Sequence, residues 1–188
     1  HSGSWGFSIA GTANNVTITD SKFDNNGTAV PGQAIGLNLT ASGGISNVQI
    51  TGGTFNNNGV KTTSGSKGIN MLKVTNVTID GIEAQNNFDG VILWEWLGTS
   101  SNIDITDSNL TGNNRGITIG SETNMTVDGL TITGNTLSGN NDGVLLYRAA
   151  GWAEGAIKNV DINRNDLSNN PSRGINVAMP YEEVDGTC

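Results

Sequence analysis

The sequence predicts an all-β protein: a right-handed parallel β-helix of about six coils, with three short strands per coil and an Asn ladder. Three observations carry this expectation. A Gly-apolar-x-apolar motif recurs at Gly6, Gly36, Gly68, Gly90, Gly116, Gly143 and Gly174, at spacings of 22 to 32 residues. Between successive motifs lies an apolar-x-apolar element ending at Ile18, Ile50, Ile79, Ile105, Ile132 and Ile162. Eight residues after each of those Ile positions comes Asn26, Asn58, Asn87, Asn113, Asn140 or Asn170. A sustained internal period of this length is the mark of a solenoid.

Each element follows from the two-residue period of a strand. In Asn76-Val77-Thr78-Ile79, Val77 and Ile79 face inward and Thr78 faces water. In Gly143-Val144-Leu145-Leu146, Val144 and Leu146 face inward. A third inward position lies five residues after each Ile, at Phe23, Phe55, Ala84, Leu110, Leu137 and Leu167. At roughly 1.5–3 kcal/mol per buried aliphatic side chain, stacked coils outweigh the ordering entropy of a Gly-rich chain, whereas one coil alone does not. The Asn column is expected at a tight bend in left-handed geometry, with identical amides hydrogen-bonded from coil to coil.

Composition agrees and narrows the function classes. Only 14% of the 188 residues are charged, and 27 are Gly. Such a length suits one domain, residues 1–188, with a sizeable core. The formal net charge is −8, and nine scattered Lys and Arg form no basic stripe, which argues against nucleic acid. No apolar run approaches the roughly 18 residues of a membrane-spanning helix, so membrane insertion is not expected. His1 is the single His and Cys188 the single Cys, which excludes a Cys/His metal site and an intramolecular disulfide. Gly6-Phe7-Ser8-Ile9 opens in a strand with no capping helix, while Pro180, Glu182 and Glu183 near the other end read as gatekeepers. Either the chain is an excerpt of a longer protein or its subunits associate end to end.

From Trp5 to Val177 these repeats resemble the right-handed parallel β-helix repeats of pectate lyases, polygalacturonases, alginate lyases, mannuronan epimerases and NosD-like periplasmic proteins. The resemblance implies the fold and a secreted or cell-surface (extracellular or periplasmic) setting, and it leaves the chemistry open, because this scaffold carries many functions. The Gly-His-Gly segment of the hydrolases and the Asp-Pro-His-Glu of the epimerases are absent, since no internal His exists. Lyases of this fold pair acid-bound Ca²⁺ with an Arg or Lys base. Those residue types are present here without a diagnostic motif.

Two groups of residues are candidates for function. Just before the Gly of five consecutive coils stand Lys67, Asp89, Arg115, Asp142 and Arg173. They form either a register-fixing charge ladder or, in Asp89, Arg115 and Asp142, a catalytic or Ca²⁺-assisted lyase triplet. The second group comes from long loops, expected over Gly27–Ile35 and Gly59–Lys67 in the early coils and over Trp94–Ser101, Gly120–Asp128 and Tyr147–Lys158 in the later ones. The later loops collect Trp94, Glu95, Trp96, Glu122, Tyr147, Arg148, Trp152 and Glu154 on one edge. Aromatic faces ringed by polar groups suit sugar rings, which present apolar C–H faces and hydroxyl edges; the alternative is that Trp94 and Trp152 cover an open core. Trp94 and Tyr147 are expected two coils apart, about 9–10 Å, with a gap at Gly120 between them. Outward Ile92 and Leu145 flank the same edge.

The expectation is an extracellular module binding polysaccharide or another glycan along this aromatic edge. Its rivals are a polysaccharide lyase working through Arg115 or Arg148 with acid-bound Ca²⁺, and a structural subunit of a surface filament or adhesin. Ca²⁺ is the one cofactor these readings invoke, without an assigned ligand set.

Overall fold

The computed structural model describes residues 4–27, 34–96, 98–121, 126–148 and 156–178. These residues form eleven strands and no helix: β1 (Ser4–Ile9), β2 (Ala13–Thr19), β3 (Ala34–Thr51), β4 (Ser66–Asp80), β5 (Asp89–Glu95), β6 (Thr99–Thr106), β7 (Arg115–Ser121), β8 (Thr126–Thr133), β9 (Asp142–Arg148), β10 (Ala156–Asn163) and β11 (Arg173–Ala178). Every pairing is parallel and joins one coil to the next. One face of the solenoid stacks the Gly-containing strands in the order β1, β3, β4, β5, β7, β9, β11. A second face stacks β2, β3, β4, β6, β8 and β10. β3 and β4 run round the corner and serve both faces.

The third face differs from the expected run of short strands. It is a column of single bridges linking Lys22, Thr54, Glu83, Asn109, Thr136 and Asp166. The reason is the corners on either side. In the first coil Asp20 and Asn25 both have positive φ, and Gly52 and Asn57 repeat this in the second. The short segment between two left-handed corners has room for one ladder residue.

The core is the aliphatic stack read from the repeat. Leu37, Ile69, Val91, Ile117 and Val144 make one buried column, and Val48, Val77, Ile103 and Leu130 another. At the terminal strands the equivalent positions are uncovered among the described residues: Phe7 on β1 and Ile175 and Val177 on β11 are exposed.

The Asn ladder is present and continuous. Asn58, Asn87, Asn113 and Asn140 are fully buried. The Oδ1 of each rung accepts the backbone N–H of the rung before it: Asn87 N donates to Asn113 at 2.8 Å, and Asn113 N to Asn140 at 2.8 Å. The Nδ2 atoms of Asn87, Asn113 and Asn140 donate to the backbone carbonyls of Phe55, Ala84 and Leu110, at 2.8–2.9 Å. The left-handed residues, however, are those one position earlier, Asn25, Asn57, Asn86, Gly112, Gly139 and Asn169. Ladder Asn residues are therefore selected for their amides, and their predecessors for tolerance of positive φ.

A second, exposed amide row was not anticipated. Asn47 donates to Asn14, Asn76 to Asn47 and Asn102 to Asn76, at 2.8–3.0 Å. Asn47, Asn76 and Asn102 have positive φ and mark the corner that leads into the second face.

Candidate functional site

The strand register places members of the two candidate groups, Lys67, Asp89 and Arg115 of one and Trp94 and Trp96 of the other, on the two sides of one cleft, on the outer surface of the Gly-strand face. Along its first rim run Trp5, Ile35, Lys67, Asp89 and Arg115, register partners in five successive coils. Asn38, Asn70 and Ile92, also register partners, form the floor. Thr40, Leu72, Trp94 and Trp96 form the opposite rim. The volume of the cleft is about 660 Å³. Ser64 and Phe88 close in beyond the first rim and Ser42 beyond the second. The rims thus belong to the two corners that flank the face, where the long loops were expected to emerge.

The floor carries a polarised row of amides. Asn70 Nδ2 donates to Asn38 Oδ1 at 2.8 Å, and Asn38 Nδ2 donates to Ser8 Oγ and Thr40 Oγ1, each at 3.0 Å. The row ends in the acceptor Asn70 Oδ1, beside apolar Ile92. A hydroxyl or amide donor of a ligand fits that end of the row.

The aromatic pair differs from expectation. Trp94 and Tyr147 are not separated by a gap; their rings stack with centroids 5.4 Å apart and planes 24° from parallel. Gly120 makes this possible. The indole lies across it, and a Cβ at this position would stand 2.7 Å from Cζ3 and 2.8 Å from Cδ2 of Trp94. Both rings are on the outside of the sheet, so Trp94 is not a lid over an open core. Gly120→Ala is accordingly expected to push the indole off Tyr147. The near-ultraviolet dichroism of the aromatic pair should fall while the far-ultraviolet spectrum stays that of the native fold.

Glu95 requires a correction. It is the last residue of β5, not a loop ligand, and it is 0% exposed. Its Oε2 accepts Ser100 Oγ at 2.5 Å and Lys73 N at 3.0 Å. Lys73 has φ 53°, a strained geometry for a side chain of its kind, and the Glu95 carboxylate satisfies its amide. Glu95 thus ties down the corner from which its neighbours Trp94 and Trp96 project outward. Trp96 is 53% exposed. Ile92 and Leu145, expected as an outward contact surface, are both buried.

Alternation in the charge column is confirmed by register, with Asp142 paired to both Arg115 and Arg173. Its members are not equivalent. Asp89 is 1% exposed and accepts Thr118 Oγ1 at 2.6 Å, with Arg115 Nη1 3.8 Å away. Arg115 lies over Phe88, 4.9 Å from the ring centroid. Asp142 is buried one coil further on and does not line the cleft, and its Oδ1 has no hydrogen-bond partner among the described residues. Arg148 follows Tyr147 at the end of β9 and is also outside the cleft. Glu122, Trp152 and Glu154 lie outside the described residues. No group of three or more acidic, His or Cys side chains that could hold a metal comes together among the described residues.

Burial pushes the Asp89 carboxyl up to about 6, against the opposing pull of the Thr118 hydrogen bond and then of Arg115 and Lys67. A raised carboxyl pKa means that the folded state holds the proton more tightly than the unfolded chain, so ionising Asp89 costs stability. The cost is absent below about pH 4, grows between about pH 4 and 6, and is constant above, at roughly 2–3 kcal/mol. Asp89→Asn retains an acceptor for Thr118. Its melting temperature is expected to exceed that of the parent near pH 7.5 and to equal it near pH 4.

The profile of the family described as right handed beta helix region matches residues 32–152, well over half of the chain. The chain belongs to the right-handed β-helix family. The match takes in most of the cleft, from Ile35 through Trp96 to Arg115. Comparison with curated proteins and with solved structures finds no match.

Sequence reasoning named Lys67, Asp89, Arg115, Trp94 and Trp96 but assigned them to two unrelated features. It missed Trp5, Asn38, Asn70, Leu72 and Phe88. The signal was available in the repeat itself: positions just before each Gly, two after it and four after it form three adjacent outward columns.

Proposed function

We propose that this right-handed β-helix protein is secreted or displayed at a cell surface and binds polysaccharide in the cleft between the charge column and the aromatic corner. One observation carries the reading: Trp94 and Trp96 flank a floor of hydrogen-bonding amides within a single open cleft. Its volume falls in the roughly 300–1,000 Å³ range of small-ligand sites. Indole faces suit the C–H faces of sugar rings, and Asn70 Oδ1 offers an acceptor to their hydroxyls. Coils stacked at about 4.8 Å repeat the floor along the solenoid axis, which fits an extended polymer.

Binding is a better account than glycoside hydrolysis. That chemistry needs two carboxyls about 5–9.5 Å apart across the bond, and among the described lining residues Asp89 is the one carboxylate. A lyase remains the rival, because Lys67 and Arg115 bring candidate bases into the cleft. A glycan array read with and without Ca²⁺ tests the proposal. Retention of one class of polysaccharide in both conditions, without the ultraviolet absorbance of an unsaturated product, is the expected result. Silence across the array defeats the binding reading, and unsaturated product replaces it with the lyase.

A further inference from the structure

The charged members of the first rim are not a closed ladder of pairs. Asp89 commits its close hydrogen bond to Thr118 Oγ1, at 2.6 Å. The Arg115 guanidinium stands 3.8 Å from the same carboxylate oxygen, beyond hydrogen-bond distance. Lys67, the register partner of Asp89 on its other side, makes no side-chain hydrogen bond or close ion pair among the described residues. Beyond Lys67 the column turns apolar, with Ile35 and Trp5. Beyond Arg115 comes Asp142, buried outside the cleft. In a chain of formal net charge −8, the described lining of this cleft therefore holds two underused cations around one carboxylate.

We propose that Asp89 is an internal counter-anion of the cleft: it holds Lys67 and Arg115 in readiness for the carboxylate or sulfate of an acidic sugar, so the cleft takes acidic glycans in preference to neutral ones. This inference rests on the carbohydrate reading and adds the ligand class and its control. The trade is electrostatic. An ionised Asp89 competes with the ligand for the same two cations, and protonation removes the competitor. Burial raises Asp89 to about 6 and lowers Lys67, so mild acid favours the state with Lys67 charged and Asp89 neutral. Binding of an acidic glycan takes up a proton near neutral pH.

Titration calorimetry on the full chain tests this with a hexagalacturonate, a sulfated hexasaccharide and cellohexaose, near pH 7.5 and near pH 5, either side of the Asp89 transition. The sulfated ligand keeps its charge over this range, so its pH profile reports the protein. Both acidic hexamers are expected to bind about tenfold more tightly at the lower pH, the change that accompanies a one-unit rise in the Asp89 pKa on binding. Cellohexaose should bind more weakly and show no pH dependence. Asp89→Asn should hold the acidic ligands tightly at both pH values. Lys67→Gln and Arg115→Gln should each lose the preference for acidic over neutral ligands. Equal affinity for neutral and acidic hexamers, or a wild-type pH profile in Asp89→Asn, overturns the counter-anion while leaving the carbohydrate cleft intact. Failure to bind any of the three ligands overturns both.

Discussion

Asn113→Ala is expected to lower stability by about 2–6 kcal/mol, with no loss of the secondary-structure signature of whatever remains folded. Asn113 sits mid-ladder and is fully buried. Its Oδ1 accepts Asn87 N at 2.8 Å and Asn87 Nδ2 at 3.3 Å, and its Nδ2 donates to Ala84 O at 2.8 Å. Truncation leaves a buried N–H and a buried carbonyl without partners, at about 1–3 kcal/mol each. Asn113→Asp is the informative companion: it keeps the acceptor for Asn87 N but cannot donate to Ala84 O, and it buries a charge. Chemical denaturation of both variants checks the ladder. An Asn113→Ala midpoint equal to that of the parent would remove the ladder from the account of stability.

Gly116→Val should be comparably damaging for a steric reason. A Cβ at Gly116 would stand 2.6 Å from Gly143 O in the next coil, 2.6 Å from Leu137 Cδ2 and 2.8 Å from Asn140 Nδ2. Leu137 can rotate away, but the strand carbonyl and the ladder amide are fixed by hydrogen bonds on both sides. Overpacking of this kind costs about 1–3 kcal/mol and more where backbone must shift, so about 3 kcal/mol is expected. Gly11 has open space around it, with nothing within 4 Å of an added Cβ. Gly11→Val is the matched control and should melt near the parent, as the two midpoints in denaturant would show.

The contrast between these glycines explains what the sequence made legible. The fold could be read because each inward position recurs in every coil, so Ile79, Ile105 and Ile132 vote together for one face. Gly116 belongs to the same repeat, and its motif carries a real steric demand. The ladder was equally visible, although its φ assignment was displaced by one residue, because Asn86 and Asn87 are the same residue type serving opposite needs. The third face read as a strand because one inward apolar residue, such as Phe23, Phe55 or Leu110, recurs in every coil; what shortened it was the pair of corners, such as Asp20 and Asn25, which depend on backbone geometry.

The site was legible only in parts. Lys67, Asp89 and Arg115 drew notice through charge, and Trp94 and Trp96 through aromaticity, and only counting each from its repeat Gly, one position before against four after for Asp89 and Trp94, shows that the two groups face each other across one strand width. Glu95 misled for the opposite reason. A carboxylate between two Trp residues reads as part of an exposed platform, whereas strand alternation turns it inward, where Ser100 and Lys73 satisfy it. The Trp94–Tyr147 stack depends on Gly120 having no side chain, so the small residue that suggested a gap is what lets the indole fill it.

The central claim is that the cleft beside the aromatic corner holds a glycan, and Trp96 is the residue on which to test it. Its side chain is 53% exposed and contributes nothing to the inner core, so Trp96→Ala can separate binding from folding. Calorimetric titration of an array-positive oligosaccharide into the parent and into Trp96→Ala, with melting recorded on the same samples, gives both readings. The account predicts a loss of about 1–2 kcal/mol in binding, the range for removing an aromatic anchor, with an unchanged melting temperature. Unchanged affinity in Trp96→Ala would contradict it.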